Sequence, residues 1–493
     1  MNWKRFLLQL ALLSHVIGCE LPSPSQFSPA LRTVEYVPTA SSTTFHRASE
    51  ALRRRGILRR KKTSEPENAA GITPCPSGIV RYPQGLTHSP ITCGVASRLR
   101  AVLENRALPH PKIFMKVGDS ISASTEFMNC FETDEPNLPD SGYGNLQAAW
   151  QWYLEGHIGM TTSYARQSRA TRVAQTASWV LGGEPSPLST EIAAIDPSVA
   201  LVMFGTNDMY YGGHAAPASL KFPWMFSQMK RLLKVLLARG IVPILYSIPP
   251  YEGAHWQLAT LVESYNIILR GLAEGLQIPF VDYHARMQEL PGMGLRNDGV
   301  HPNTSPNSAC DFTEAGLQYG NNLRNLLTLE ALNRVWQVTE NEDGRDHWEE
   351  MNLAAEPQGE TFAYALPVSS ERYARFGDLR NGFTNELVGN ACPGRAMWTG
   401  PRGNQQVFRI SFPEDTPARV MLLHDSSKKI HLSWWSAQED NSCVKSHPVL
   451  FQGVFPAGDH FFVVEAESPA DEGEFLFLNA RCAPSDSRCQ QNP

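Results

Sequence analysis

The amino-acid sequence predicts an α/β domain built on a parallel sheet, followed by a smaller all-β sandwich. Two changes of pattern carry this expectation. From Lys112 to about Val338, short apolar runs alternate with longer segments of helical period, as expected of parallel strands joined through helices. Beyond a polar connector at residues 339–375 the helical period stops. Short β-rich runs separated by Gly, Pro and Asp turns take its place. A third observation is that two of the apolar runs open directly into polar, glycine-bearing loops, where parallel sheets present functional groups.

At 493 residues the chain has room for two or three domains of roughly 100–200 residues each. Its 42% hydrophobic content supports substantial cores. A formal charge of −6 over this length argues against a general nucleic-acid role.

Lys4 and Arg5 precede an apolar run from Phe6 to Gly18 that ends at Cys19. The run is shorter than the roughly 20 residues a spanning helix needs, but it suits a secretory signal over residues 1–19. Val16-Ile17-Gly18-Cys19 resembles a bacterial lipobox. That resemblance implies a lipidated Cys19 holding the protein to a membrane of the cell envelope. Ordinary cleavage and a secreted product is the other reading, and both export the chain. Residues 20–74 are rich in Ser, Thr, Pro and Ala and read as a disordered tether. Its basic clusters, Arg53–Arg55 and Arg59–Lys62, suit an anionic lipid surface or simply a solvated stretch. Residues 75–111 lead into the first domain, 112–338.

Within that domain the expected strands are Ile113–Val117, Val199–Phe204, Ile241–Ile248 and Pro279–Tyr283. Pro243 is tolerable because it sits near a strand's start. A helix is expected around Asn145–Leu154. Over Leu220–Arg239, Met225, Met229, Leu232, Leu233, Leu236 and Leu237 recur at helical spacing, and Gly240 is a stop. His255–Gly275 carries one apolar stripe through Leu258, Leu261, Val262, Tyr265, Ile268, Leu269 and Leu272. A last helix spans about Thr313–Trp336. The second domain, 376–493, has β-rich runs at Val407–Phe412, Val420–His424, Ile430–Trp435, Val449–Phe455, Phe461–Glu465 and Glu474–Asn479.

The chain has 9 cysteines. With Cys19 set aside an even number remains, which suits an exported protein, although sequence alone leaves their connectivity open. Proximity favours Cys75–Cys93 and Cys482–Cys489. Cys392–Cys443 would lie within the C-terminal region. Cys130 and Cys310 then remain, and would clamp two functional loops together. No CxxC or Cys/His metal spacing is present, so a zinc site has no support.

Three motifs carry chemistry. The first strand enters Gly118-Asp119-Ser120, the second enters Gly205-Thr206-Asn207-Asp208, and Asp298-Gly-Val-His301-Pro302 lies far downstream. A serine needs a base to become a nucleophile, a role for His301, and Asp298 is close enough in the chain to fix the imidazole tautomer. Asn207 can offer its side-chain amide to an oxyanion, and Gly205 lets the backbone approach closely. Singly, each motif also reads as a turn or a helix cap. His110, His214, His255 and His284 lack motif context, so surface or packing roles are expected of them. Core packing is also the expected role of Trp398, Trp434 and Trp435, rather than a sugar-binding platform.

Taken together and in this order, the three motifs resemble the blocks of the SGNH hydrolases, also called GDSL esterases and lipases. The resemblance implies a flavodoxin-like three-layer α/β/α fold and hydrolysis of carboxylic esters without a metal or organic cofactor. It implies Ser120, Asp298 and His301 as catalytic residues and Asn207 as an oxyanion donor. One block departs: the loop expected to carry an oxyanion glycine is Thr162–Ala170, which has none. Gly142 and Gly144 come too early in the chain, so a backbone N–H of Ser168 or a neighbour is expected to serve. The C-terminal region loosely resembles a bacterial pre-peptidase C-terminal domain, which implies an accessory surface. The expected partner is a small-molecule or glycan ester. An acyltransferase or carbohydrate acetylesterase on the same scaffold, or a non-catalytic glycan-binding surface lipoprotein, are the alternatives.

Overall fold

Four strands, buried along most of their length, form one parallel sheet in the order β1 (His110–Gly118), β2 (Pro197–Met203), β3 (Val242–Tyr246), β4 (Phe280–Val281). They come from a computed structural model that describes residue 75 and residues 79–490, apart from 107–109, 135, 137, 214, 342–347, 350–358, 384–391, 393–401, 437–442 and 484–485. The signal, tether and basic-cluster expectations, Cys19, His214 and Trp398 lie outside the described residues. Strands of near-continuous Val, Ile, Leu, Met and Phe are what a sheet covered on both faces requires. On the free side of β1 a further strand survives as a single parallel bridge between Gly118 and Thr171. There the Gly118 N–H donates to Ala170 O, and the Arg172 N–H to Gly118 O, both at 3.2 Å. The sheet therefore keeps flavodoxin-like order with one edge strand reduced to a bridge.

Besides several further four- and five-residue helical turns, the helices are α1 (Cys93–Glu104), α2 (Ser120–Ala123), α3 (Gln147–Leu154), α4 (Pro187–Ile195), α5 (Ala218–Ala238), α6 (Val262–Leu276) and α7 (Gly320–Thr339). Helix α4 starts by local chemistry: the Ser186 Oγ accepts the Ser189 N–H at 3.1 Å and Pro187 occupies the first turn. Two expected helices begin late. Residues Trp256–Ala259 form a separate turn ahead of α6. Before α7, Asp311 Oδ1 accepts from both the N–H and the hydroxyl of Thr313, a local closure that competes with helix formation.

The β-rich region folds as two facing sheets. Its strands are β5 (Leu366–Val368), β6 (Arg372–Asp378), β7 (Gln405–Phe412), β8 (Thr416–His424), β9 (Ile430–Ser436), β10 (Cys443–His447), β11 (Leu450–Phe455), β12 (Gly458–Ala466) and β13 (Glu474–Arg481). One sheet runs β11-β8-β13-β6 and the other β10-β9-β12-β7-β5. Strands β5 and β6 lie where a connector was expected, so the sandwich begins near residue 366. Strand β6, Arg-Tyr-Ala-Arg-Phe-Gly-Asp, escaped notice because it is mostly half-buried and lacks an apolar run. Trp435 is buried and donates to Ser433 Oγ, while Trp434 donates to His460 Nδ1, so both serve packing. The pairs Cys75–Cys93 and Cys482–Cys489 form, as chain proximity suggested, and so do Cys392–Cys443 within the C-terminal region and the remaining pair Cys130–Cys310.

The sandwich packs on α6 because that helix presents two glycines one turn apart. A side chain at Gly271 would meet Leu476 and Ala374, and one at Gly275 would meet Phe376. The buried Arg419 of β8 crosses the same junction, donating to Thr260 O at 3.2 Å while pairing with Asp486. Overpacking such a contact costs about 1–3 kcal/mol. Gly275→Leu should therefore lower the midpoint of thermal and urea unfolding, although leucine is much the better helix former; an unchanged midpoint would contradict this packing.

Candidate active site

Strands β1 and β2 end in register, Gly118 opposite Met203, so the loops that follow them emerge side by side. Gly118 has no room for a side chain: a Cβ there would meet Ser122 and the Met203 carbonyl. The Asp119 carboxylate caps α2, accepting the Ile121 N–H at 3.1 Å. Ser120 is thereby held at the start of a short helix, half-buried. Its Oγ lies 2.9 Å from His301 Nε2. His301 Nδ1 lies 2.8 Å from Asp298 Oδ2, and Asp298 Oδ1 accepts the N–H groups of Val300 and His301 at 2.9 Å each. Burial pushes the Asp298 carboxyl up, but the N–H groups of His301 and Val300 and the imidazole outweigh it, holding the acid below its usual range. An ionised Asp298 keeps the Nδ1 proton on the imidazole and leaves Nε2 free to accept one from Ser120.

Asn207 follows β2, and its amide donates to the other oxygen of Asp119 at 3.1 Å. One amide hydrogen is thus committed and the second is left over. Gly205 takes φ +144° and sits against Ile248 and Tyr265, so its missing side chain permits packing as well as approach. Ser168 is buried; its Oγ accepts the Ala170 N–H and its carbonyl accepts from Thr171. The part of this loop beside Ser120 comes later. Val173, 65% exposed, shares a cavity with the serine, and Ala174 adopts φ +60°. A non-glycine residue there is uncommon and marks a backbone shape that glycine usually supplies. Sequence reading did not extend to Val173 and Ala174, because a one-bridge strand leaves no apolar run to locate.

The cavity holds about 240 Å³ and is lined by Ser120, Ser124, Val173, Arg296, His301 and Asn321, among others. A larger cleft of about 800 Å³ lies between α5 and the sandwich, where Lys230 and Lys234 pair with Glu474 and His424 joins the lining; it shares no lining residue with the first. His284 is buried and its pKa is lowered by burial, while His110 is exposed, so neither joins the site. His255 packs edge-on against Tyr210. Among the described residues no group of three or more His, Cys, Asp or Glu is placed to hold a metal ion, and no helix is long and apolar enough to cross a membrane.

Several supporting residues escaped the sequence reading. Arg324 of α7 is fully buried and donates to Ile121 O at 2.7 Å and Ser122 Oγ at 3.0 Å, with its guanidinium 3.6 Å from the Phe127 ring centre. It thus satisfies a carbonyl that so short a helix cannot satisfy itself. Lys116 interrupts the apolar run of β1, a visible signal. Its Nζ donates to Phe127 O, Asn129 Oδ1 and Tyr164 O, and burial and Arg324 lower its pKa to about 7. On α7, Asn321 donates to Pro302 O, Asn322 to Ser308 O and Asn325 to Glu126 O, tying the loops that follow Ser120 and His301 to one helix.

Residues 117–305 match the GDSL-like Lipase/Acylhydrolase family. No curated protein matches the chain. Among solved structures, a GDSL-like lipase from Bacteroides thetaiotaomicron is 20% identical, covering 49% of this chain and 98% of its own, with a TM-score of 0.29. A catalytic mutant of an acetylxylan esterase from Geobacillus stearothermophilus is 15% identical, covering 46% and 96%, with a TM-score of 0.30. A lipase/acylhydrolase from Enterococcus faecalis is 15% identical, covering 45% and 95%, with a TM-score of 0.28.

Burial pushes the Asp119 carboxyl up to about 6 and that of Asp208 up to about 7, the latter raised further by Asp119. Asp208 Oδ1 accepts the Ala177 N–H, while its Oδ2 is buried without a hydrogen-bond partner. The folded state thus favours both protonated acids. Their contribution to stability is full below the unfolded value of about 3.9 and is lost as pH rises through about 6 and 7. Asp208→Asn should flatten the fall in melting temperature between about pH 4 and 8; a slope equal to the parent's would contradict this assignment.

Proposed function

We propose that this chain, whose residues 117–305 form a GDSL-like lipase/acylhydrolase domain, is an exported serine esterase that hydrolyses carboxylic esters through Ser120, His301 and Asp298. The observation that carries the reading is the continuous chain from Ser120 Oγ to His301 Nε2 at 2.9 Å and from Nδ1 to Asp298 at 2.8 Å. In the first step Ser120 Oγ attacks the ester carbonyl as its proton passes to His301 Nε2. Asp298 stabilises the imidazolium that forms. The oxyanion takes hydrogen bonds from the uncommitted amide hydrogen of Asn207 and from main-chain N–H groups of Ser120 and the Val173–Ala174 turn. Its collapse releases the alcohol, protonated by His301, and leaves an acyl-serine. A water deprotonated by His301 then attacks the acyl-serine, and the acid leaves as the serine is restored.

Asp119 acts in this scheme through Asn207, fixing which way the amide points. The four disulfides suit an oxidising compartment. With the signal-like N-terminus they support export, with Cys19 as a lipid anchor to the cell envelope. The sandwich is an accessory unit packed on α6.

Ser120→Ala should cut kcat on p-nitrophenyl acetate by about ten-thousandfold or more while the circular dichroism spectrum and melting temperature stay close to the parent's. Hydrolysis at the parent's rate would refute the assignment. Asn207→Ala should lower kcat about 100- to 1,000-fold with a much smaller change in KM. A loss confined to KM would instead place Asn207 in ground-state binding.

A further inference from the structure

We infer that the site selects short-acyl esters carrying an anionic group, a carboxylate in the first instance, near the scissile bond, and that Arg296 recognises it. This rests on the ester-hydrolase reading above and adds a substrate class to it. Arg296 lines the cavity that contains Ser120 and His301, and no carboxylate lines it with them. Its position is fixed twice on the loop that carries the base. The Arg296 N–H donates to His301 O at 2.8 Å, and its Nε donates to Pro302 O at 3.0 Å.

With Nε engaged, the two terminal guanidinium nitrogens have no acidic partner among the described residues. Asp298, two residues along the chain, is engaged by His301, and Asp119, next to Ser120 in the chain, by Asn207 and the Ile121 N–H. An exposed arginine is ordinary on a protein surface. One pinned against the general base, in a cavity without a counter-charge, is poised for a planar anion that it can grip with two parallel hydrogen bonds. Arg172, exposed and without an ion pair among the described residues, directly precedes the cavity-lining Val173 in the chain.

Size assigns the anion to the alcohol portion. The cavity, about 240 Å³, is smaller than the roughly 300–1,000 Å³ of sites that enclose drug-sized ligands. A short acyl group fills it, and the leaving group lies across the rim with Arg296.

The test uses three acetyl esters on the full chain: 4-acetoxybenzoate, its neutral counterpart 4-acetoxybenzamide, and 4-acetoxyphenyl phosphate. The parent should favour the benzoate over the benzamide by about tenfold in kcat/KM, mainly through KM, with the preference shrinking as salt is added. Arg296→Gln should bring that ratio close to unity, and Arg296→Lys should keep part of it. Because the readout is a ratio within each variant, a general loss of rate does not mask it. A parent that hydrolyses the benzamide as well as the benzoate, or a ratio unmoved by Arg296→Gln, would overturn the inference and leave the esterase reading standing. Preference for the phosphate over the benzoate would overturn the carboxylate and retain the anion. Hydrolysis of none of the three would bring down the esterase reading and the inference with it.

Discussion

A guanidinium buried under the short helix that carries Ser120 is the constraint on which this site depends. Arg324 reaches from α7 to the Ile121 carbonyl and the Ser122 hydroxyl and lies against Phe127, so α2 cannot move without α7. The same helix end holds the other half of the site, since Asn321 and Asn322 bind the loop that follows His301. Ser120 and His301 are 181 residues apart in sequence but share one rigid support. The Cys130–Cys310 disulfide joins the two loops a second time. A serine–histidine contact of 2.9 Å follows from that shared footing, because groups held on rigid elements keep the short range that proton transfer requires.

The support is built from groups that are costly to bury. Lys116, Asp119, Asp208 and Arg324 all lie within the protein, and burial pushes each toward its neutral form. The positive pair holds backbone carbonyls and the negative pair holds backbone N–H groups, so each side chain satisfies main-chain atoms that irregular loops leave unpaired. Stability is given up here for geometry, a common pattern at sites where function sets the local conformation.

What was legible in the sequence was whatever recurs locally. Apolar runs located all four strands of the parallel sheet, and short polar motifs named Ser120, Asn207, Asp298 and His301, which the fold brings to one end of that sheet. Cysteine spacing pointed to Cys75–Cys93 and Cys482–Cys489, and the other two described disulfides join the cysteines that were left. The features that went unseen depend on contacts between distant segments. The bridge at Thr171 is too short for a pattern, so the reading of this loop stopped near Ser168 and did not extend to Val173, which shares a cavity with Ser120. Strand β6 takes its burial from α6 and not from its own composition. Arg324 looks like any helical arginine until the helix that carries Ser120 is placed over it. Lys116 was the exception: a lysine inside an apolar strand could have been flagged as a buried, functional cation.

The central claim is that one serine is made nucleophilic by one histidine in this pocket. Incubation with a fluorophosphonate, followed by digestion and mass spectrometry, tests that chemistry without any assumption about the natural substrate. The account requires a single phosphonyl adduct on the peptide containing Ser120, formed far more slowly once His301 is replaced by alanine. An adduct on another residue, or labelling of Ser120 at the same rate without the imidazole, would contradict it.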